Sequence, residues 1–337
     1  MKFTPPKQTN NQQHNNRNGL ISKAQRIINN KKRHLYRSFW QYLQIHPSIR
    51  NYFFFHLRPF YSRLRYFNVF GMELNLCHPQ DFEQKLFWLS VYYRHPLIEQ
   101  CADKYRVREY VEQCGCGDIL NTLYGAYDKA EDIPFDTLPN QYVVKSNRGS
   151  GDNFFCLDKT SLHTEGAVRL LDSWREHTYG IETAEYQYAR MPFKLVVERY
   201  LKASEQTDWM EYQFFCFNGT LVSVLVRNDL ETAGGQPFAE SYSLDWQRQY
   251  LRKDEEKMTV NVPRPVSFDK MKEYAIRLAR PFPHVRVDFY EVNGHLYFGE
   301  LTFSTHGNVF ENYKESTLNE WNRLLTLPKS YTKNDRY

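Results

Sequence analysis

The chain contains 337 residues, of which 41% are hydrophobic and 25% are charged, and its formal net charge is +5. This composition excludes a fibrous or low-complexity chain. No run of about 18 apolar residues and no opening signal peptide is present, which predicts a cytoplasmic protein without a membrane span. The six cysteines stand in no metal-ligand spacing, so we expect reduced thiols.

Positive charge is concentrated in residues 1–70, which contain thirteen lysines and arginines and no aspartate or glutamate. Residues 1–18 are rich in Asn, Gln and Pro and predict a disordered tail, because they cannot bury enough apolar surface to offset the entropy of ordering. Residues 19–74 predict a basic, aromatic, helical extension, since apolar side chains recur at helical spacing from Ile21 to Leu43.

Three roles for this extension stay open. It docks on its own chain, or residues 19–70 lie on an anionic membrane surface and place the protein peripherally on the inner face of the membrane, or the extension binds single-stranded nucleic acid. No recognised nucleic-acid motif accompanies the basic and aromatic residues, which disfavours the third role.

From residue 75 the pattern predicts a compact protein of helices and strands. A helix follows Asp81, which is a suitable N-cap, and a second helix is predicted from Asp103 through Glu112. The remaining predicted segments are strands over 142–145, 195–201, 212–217 and 221–227, helices over 161–177, 268–280 and 315–325, and a polar loop over 231–265.

The strand 142–145 opens into Ser146–Gly151, a loop of small residues whose backbone amides can approach a phosphate closely. It lacks the Gly-Lys-Ser/Thr ending of a Walker loop. An ordinary turn remains the alternative interpretation.

Two strands on either side of Asn293-Gly294 predict a hairpin that carries acidic residues. A three-residue loop would place Asp288 opposite Glu300, with Arg286 and Thr302 on the same face, and would create a divalent-cation site. A two-residue loop would place the two carboxylates on opposite faces. The alternative interpretation of the hairpin is a solvated face on which the charges have no function.

In this order the elements resemble the ATP-grasp superfamily, in particular its TupA-like branch, named for a teichuronopeptide-synthesis protein. The likeness covers residues 75–328. It rests on the segments Asp103–Val111, Leu138–Gly151, Val197–Leu201, Glu211–Gly219 and Arg286–Phe303.

The resemblance implies an α+β fold in which two lobes, residues 75–200 and 201–330, hold Mg²⁺ and ATP between their sheets, with the metal-binding hairpin in the second lobe. The implied ATP-binding residues are Lys104 and Lys145 at the phosphates, Arg148, Gly149, Ser150 and Gly151 in the closing loop, Glu198 and Tyr200 at the adenine, and Glu205 or Glu211 at the ribose. The implied metal ligands are Asp288, Glu300 and Thr302, and the implied catalytic residues are Arg286, Arg227 and Lys145.

The resemblance also implies an ATP-dependent carboxylate–amine ligase of bacterial surface polysaccharide synthesis that works through an acyl phosphate. Its expected partners are an amino acid or other amine and a carboxylate-bearing glycan. A glycosyltransferase of the same pathway and a non-catalytic, membrane-associated ATP-binding component remain alternatives.

Three positions depart from the family pattern. Thr302 stands where most relatives carry Asn, Arg148 where they carry His, and Gln213 where they carry Lys. We expect Arg148 or Arg227 to replace the missing lysine charge.

Overall fold

The structure, a computed structural model, describes residues 31, 33–202, 210–228, 238–257 and 260–328. Its contacts divide the chain into two compact units, Met1–Leu74 and Asn75–Tyr337. The predicted tail, residues 1–18, lies outside the described residues. Across the described part of the chain, no helix combines the length and the apolar character needed to cross a membrane.

The first unit contains three helices in its described part. They are α1 (residues 33–45), α2 (Pro47–His56) and α3 (Arg58–Phe70). Helices α2 and α3 each carry a proline in the first turn, where its missing amide hydrogen has no intrahelical role. Trp40 and Phe54 both pack against the buried ring of Tyr61. The predicted helical extension is confirmed over these residues.

The second unit contains two antiparallel sheets. The strands β1 (Leu123–Tyr127), β2 (Tyr142–Ser146), β3 (Asn153–Cys156) and β4 (Leu195–Arg199) form a four-stranded sheet in the order β1-β4-β2-β3. The strands β5 (Met210–Phe217), β6 (Thr220–Asn228), β7 (Phe238–Tyr242), β8 (Arg248–Gln249), β9 (His284–Val292) and β10 (His295–Thr302) form a six-stranded sheet in the order β10-β9-β5-β6-β7-β8.

Helices cover both sheets. They are α4 (Phe82–Tyr92), α5 (Pro96–Cys101), α6 (Val107–Gln113), α7 (Thr164–Ser173), α8 (Phe268–Ala279) and α9 (Glu315–Leu324). Helix α4 begins as predicted, because the Asp81 carboxylate accepts the backbone N–H of Gln84 at 2.8 Å. Together the helices and the two antiparallel sheets confirm the predicted α+β class.

The second half of strand β5, residues 214–217, is buried on both faces, which explains its unbroken apolar sequence. Phe214 belongs to the hydrophobic cluster that includes Met271 of α8. The next residue, Phe215, belongs to a second cluster with Phe82 of α4 and Trp321 of α9. This double burial fixes β5 and its neighbour β9, the strand that carries Asp288.

The structure corrects several predicted boundaries. The segment 231–265 includes strands β7 and β8 and is not simply a loop. The helix predicted from Asp103 begins only at Val107, because the Asp103 carboxylate caps a preceding turn by accepting the N–H groups of Tyr105 and Arg106. Strand β1 was not predicted, since its sequence Leu-Tyr-Gly-Ala-Tyr lacks β-branched residues and contains a glycine.

The first residue of β9, His284, gives the fold a pH-dependent stability. Its ring stacks on Phe217 at a centroid distance of 5.6 Å and meets the edge of Phe82 at 6.1 Å. Burial lowers the pKa of His284 to about 4. The imidazole is therefore neutral in the folded protein, whereas the unfolded chain takes up a proton as the pH falls below about 6.5.

We expect acidification from pH 7 to pH 5 to remove about 2 kcal/mol of unfolding free energy through His284, and less to be lost below pH 4, where both states are protonated. His284→Phe should abolish this contribution. The check is urea denaturation of both proteins at pH 7 and pH 5. An equal loss of stability in the two proteins would contradict the assignment.

Candidate active site

A cleft of about 1350 Å³ is lined by residues of both sheets. Nearly all candidate site residues line it: Lys104, Lys145, Arg148, Gly149, Ser150, Gly151, Glu198, Tyr200, Glu211, Arg227, Arg286, Glu300 and Thr302. Asp288 is fully buried on the same hairpin. Glu205 lies outside the described residues.

One wall of the cleft is the glycine loop that follows β2. Gly149 and Gly151 adopt φ values of +69° and +93°, which residues other than glycine rarely adopt. The Lys104 ammonium donates a hydrogen bond to the Gly149 carbonyl. Burial lowers the pKa of Lys104, and the nearby Glu300 carboxylate, 3.8 Å away, opposes that shift. The Lys104 ammonium and the backbone of the glycine loop therefore lie next to each other in the cleft.

Asn147 anchors this loop, and no local sequence pattern indicates this role. Its side-chain amide donates to the Asp103 carboxylate and to the Pro192 carbonyl, each at 2.9 Å, and its carbonyl oxygen accepts the Lys194 N–H at 2.8 Å. The Asn147 backbone carbonyl also accepts the N–H of Lys104 at 2.9 Å. A single buried side chain thus positions both Lys104 and the glycine loop.

Arg148, within the loop, donates to the Arg175 carbonyl at 2.8 Å and lies over the Phe193 ring. Burial lowers its pKa, although it stays far above neutrality in any protein environment.

Strand β4 brings Glu198 between two cations. One carboxylate oxygen accepts from Arg108 and the other from Lys145, both at 3.2 Å. Arg108 also donates to the Asn121 carbonyl at 2.7 Å. Arg108 was not among the predicted site residues, although it lies inside the segment Asp103–Val111 that carried the family resemblance.

The hairpin β9–β10 has a register that neither simple alternative described. His295 pairs with Val292, so the loop has two residues, not three. A bulge then places two residues, Gly299 and Glu300, opposite Asp288. The pairing resumes with Leu301 opposite Val287 and continues with Thr302 opposite Arg286. The two-residue alternative is therefore the observed loop, but the bulge makes Arg286 and Thr302 partners, as the three-residue alternative would have done.

Gly299 makes this bulge sterically possible. A Cβ atom at this position would lie 2.9 Å from the Asp288 carbonyl oxygen and 3.0 Å from the Tyr290 ring. A glycine inside a strand next to an acidic residue is the sequence signal that could have predicted the bulge.

We expect Gly299→Ala to lower the free energy of unfolding by about 1–3 kcal/mol, because the backbone must move to admit the methyl group. Gly294→Asn in the same hairpin is the control, since nothing lies within 4 Å of its Cβ position and asparagine tolerates its φ of +74°. Chemical denaturation measures both. Equal stability of the two variants would show that the strands absorb the methyl group.

A charged network joins the two strands of the hairpin. Arg286 donates hydrogen bonds to both carboxylate oxygens of Asp288, from Nε to Oδ1 at 2.8 Å and from Nη2 to Oδ2 at 2.6 Å. Nη2 also donates to Thr302 Oγ1 at 3.1 Å and lies 3.4 Å from Glu300. Thr302 in turn donates to Glu300 at 2.9 Å.

Burial and neighbouring charge act differently on the two carboxylates of the network. Burial raises the pKa of Asp288 to about 7 even though Arg286 favours its charged form. Burial also opposes ionisation of Glu300, but Lys104 and Arg286 outweigh it and lower the pKa of Glu300. Glu300, with a side chain 35% exposed, is the ionised carboxylate that faces the cleft.

These donors fit a magnesium ion in their chemistry. Two carboxylates and a hydroxyl are hard oxygen ligands, and Mg²⁺ takes one or two protein carboxylates and keeps several waters. Within the described ranges no cluster of three or more His, Cys, Asp or Glu residues has a metal-binding arrangement, so an ion here would rely on Asp288, Glu300 and Thr302 together with water or phosphate oxygens.

The floor of the cleft is formed by β5 and β6. Glu211 pairs with Arg227 across these strands, with Nε of Arg227 3.9 Å from the carboxylate, and Tyr290 donates to the other Glu211 oxygen at 3.3 Å. Burial raises the pKa of Glu211. Gln213, which stands where the family has lysine, is buried opposite Asp288.

The segment 176–188, which sequence reasoning did not identify, lines the cleft beside the glycine loop. Tyr179 donates to the Ser150 carbonyl, and the His177 ring lies 3.0 Å from the Asp152 carboxylate. Glu185 and Tyr188 of the same segment line the cleft together with His306 of the 305–308 loop. Tyr188 is near both Glu185 and Glu300, and burial raises its pKa well above the usual value. The segment has only a short 3-10 turn as regular structure, so no periodic pattern marks it.

Several solved ligases resemble the chain at low identity. D-alanine–D-alanine ligase from Bacillus anthracis is 15% identical with a TM-score of 0.37, and the match covers 60% of this chain and 57% of that protein. The D-cycloserine synthetase DcsG is 13% identical with a TM-score of 0.38, covering 68% of this chain and 71% of that one. The chain spans little more than half the length of the Bacillus anthracis ligase, and likenesses at these scores carry no weight alone. No curated protein matches the chain.

The family assignment rests on a separate finding. The family model described as TupA-like ATPgrasp matches residues 84–324, most of the second unit. The match includes both sheets and the whole cleft, and it confirms the resemblance seen in the sequence. The chain therefore belongs to the TupA-like ATP-grasp family.

Proposed function

We propose that the protein is an ATP-dependent carboxylate–amine ligase. The observation that carries this proposal is the meeting, in one cleft, of a glycine loop bound by Lys104 and a hairpin with an ionised glutamate. Lys104 Nζ and Glu300 of these two walls are only 3.8 Å apart. A cation and a metal-binding carboxylate at that separation suit a polyphosphate bridged to a divalent ion.

ATP would lie between a lobe of residues 75–200 and a lobe of residues 201–330. Its phosphates would contact Lys104, Lys145 and the loop from Arg148 to Gly151. The strand end at Glu198 and Tyr200 would meet the adenine. Because two cations already occupy the Glu198 carboxylate, we expect backbone groups to read the base.

The ribose hydroxyls would be bound by Glu211, or by Glu205 in the segment outside the described residues. The buried Glu211 carboxylate lies on the cleft floor and already accepts a hydrogen bond from Tyr290. Hydroxyl donors from a ribose would satisfy its remaining acceptor sites.

Mg²⁺ would be held by Asp288, Glu300 and Thr302. When bound, it neutralises charge on the phosphate oxygens during transfer. The chain itself holds the ligands in place: Thr302 donates to Glu300 at 2.9 Å and so orients its carboxylate. Asp288 gives both oxygens to Arg286, so it would bind the ion only after one of these oxygens leaves the guanidinium.

The reaction would proceed in two balanced steps. An oxygen of the substrate carboxylate attacks the γ-phosphorus of ATP, the bond to the β-phosphate oxygen breaks, and ADP leaves. The amine nitrogen then attacks the resulting acyl carbon, phosphate leaves, and the nitrogen loses a proton. Positioned cations lower the barrier by stabilising charge on the transferred group, and we assign this role to Arg286, Arg227 and Lys145.

The carboxylate donor would be a glycan that carries uronic acid, the amine an amino acid or a related compound, and the setting bacterial surface polysaccharide synthesis. Family membership supports this setting. The acidic side chains of the segment 176–188 that line the cleft, among them Glu185, suit an approaching ammonium group.

The test is ADP release from ATP with Mg²⁺, a panel of uronic acids and amino acids, and hydroxylamine as a general trap for acyl phosphates. We expect ADP release that requires a carboxylate, together with hydroxamate formation. Lys145→Ala should reduce the rate about a hundredfold. Lys129→Ala is the matched control, because Lys129 is exposed and pairs only at the surface with Glu131.

Consumption of a sugar nucleotide in place of ATP would overturn the proposal in favour of a glycosyltransferase. ADP release that is independent of any carboxylate, without hydroxamate, would overturn the acyl phosphate step.

A further inference from the structure

The first unit exposes a set of large apolar side chains on successive helices. We call this set the aromatic face; its members are the exposed Leu35, Tyr42, Ile45, Ile49, Tyr52 and Phe60 and the half-buried Phe39 and Phe53 beside them. Ile45 is 74% exposed, Leu35 66% and Tyr52 57%. Isolated exposed apolar residues are ordinary in proteins, but a contiguous patch marks an interaction surface.

Ring contacts show that the five aromatic members of the aromatic face are contiguous. Phe39 contacts Tyr42, Phe53 and Phe60, with ring centroids 6.2, 5.5 and 6.3 Å apart. Phe53 also contacts Tyr52 at 6.2 Å and Phe60 at 5.5 Å. Rings from all three helices therefore form one surface.

The opposite sides of the same helices are already packed. Leu43 and Phe54 are fully buried, and Trp40 lies against Tyr61 at 5.3 Å. The helices therefore do not need the aromatic face to form an apolar interior. Residues such as Ile45 and Tyr52 stay in contact with solvent although burying them would be favourable.

The segment of sequence that contains the aromatic face carries charge of a single sign. Residues 1–70 contain thirteen lysines and arginines and no acidic residue. A partner with a negative surface and an apolar interior would satisfy both features. An anionic lipid bilayer has this combination: its headgroups attract basic segments over about 10 Å, and tyrosine and isoleucine side chains insert at its interface.

We propose that the aromatic face binds the surface of an anionic lipid bilayer. This surface lies in Met1–Leu74, separate from the unit that contains the ligase cleft. Its function is to hold the enzyme at the membrane, where a lipid-linked or membrane-associated acceptor would be concentrated. Membrane binding would require no nucleotide, so its test does not depend on the proposed ligase activity.

The test is co-sedimentation of the full-length protein with vesicles of phosphatidylcholine and phosphatidylglycerol, beside vesicles of phosphatidylcholine alone. We expect binding to the anionic vesicles that weakens as salt rises, and little binding to the neutral ones. Ile45→Ser and Tyr52→Ser should each weaken binding about tenfold, because each removes an inserted apolar side chain. Both side chains are largely exposed, so neither change should disturb folding.

Ile276→Ser is the matched control. It is the same kind of change at an exposed isoleucine, 48% accessible, on helix α8 of the second unit, and we expect wild-type vesicle binding. Absence of binding to anionic vesicles at low salt would overturn the proposal. So would binding that Ile45→Ser and Tyr52→Ser leave unchanged.

Two further outcomes would assign the aromatic face to another partner and also overturn the proposal. One is a dimer in sedimentation velocity that Ile45→Ser converts to monomer. The other is retention on a single-stranded oligonucleotide that Tyr52→Ser abolishes while vesicle binding is absent.

Discussion

Replacing Arg286 with methionine is expected to lower the free energy of unfolding by about 3–5 kcal/mol at pH 8. The Asp288 carboxylate is fully buried and accepts hydrogen bonds at 2.6 to 3.1 Å from Nε and Nη2 of Arg286. Without the guanidinium, the carboxylate must either remain charged in an apolar environment or take up a proton. Urea denaturation of wild type and variant measures the cost.

The cost should depend on pH in a definite direction. Burial already raises the pKa of Asp288 to about 7 with Arg286 present, and removing the cation raises it further. A carboxyl group whose folded pKa exceeds its unfolded value of about 3.9 loses stability as the pH rises. The deficit of Arg286→Met should therefore be smaller at pH 5.5 than at pH 8.

The double variant Arg286→Met with Asp288→Leu provides the control. It removes both buried charges, so we expect it to recover most of the lost stability. If the single variant lost less than about 1 kcal/mol at pH 8, or the same amount at both pH values, Asp288 would not depend on Arg286 for its charge.

The second large effect is on catalysis. Glu300→Gln should lower kcat/KM about a thousandfold while leaving the protein folded. Glutamine has nearly the same shape, but it removes the negative charge that faces the cleft 3.8 Å from Lys104. Steady-state ADP release at saturating Mg²⁺ measures the loss.

Glu320→Gln on the exposed side of helix α9 is the comparison for Glu300→Gln and should have wild-type activity. A Glu300→Gln enzyme within a few-fold of wild type would show that a carboxylate at this position is not required.

The sequence predicted those parts of the site that lie in segments with a strong local pattern. The apolar run in the second half of β5, the Asp81 cap and the glycine loop each follow from side-chain size, hydrogen bonding or backbone freedom. The hairpin shows where such reasoning stops. Counting residues around Asn293-Gly294 leaves two registers, and only the bulge at Gly299 decides which face Glu300 joins.

The residues that sequence reasoning missed act through tertiary contacts. Asn147 works by joining Asp103 to Pro192 and Lys194, and none of these contacts has a local signature. Arg108 is similar, because its partner Glu198 is 90 positions away. The segment 176–188 lines the cleft without forming a long helix or strand, so only the three-dimensional structure reveals its contribution.

The central claim is a Mg²⁺-dependent ATP site in the cleft, and thermal shift tests it most directly. The melting temperature would be measured with ATP, with and without Mg²⁺, for wild type and Glu300→Gln, and with a sugar nucleotide as comparator. A ligand at a hundredfold excess over its dissociation constant adds about 2.7 kcal/mol to apparent stability. We expect a large shift with ATP and Mg²⁺ that Glu300→Gln loses. No shift with ATP, or a shift with the sugar nucleotide alone, would contradict the assignment.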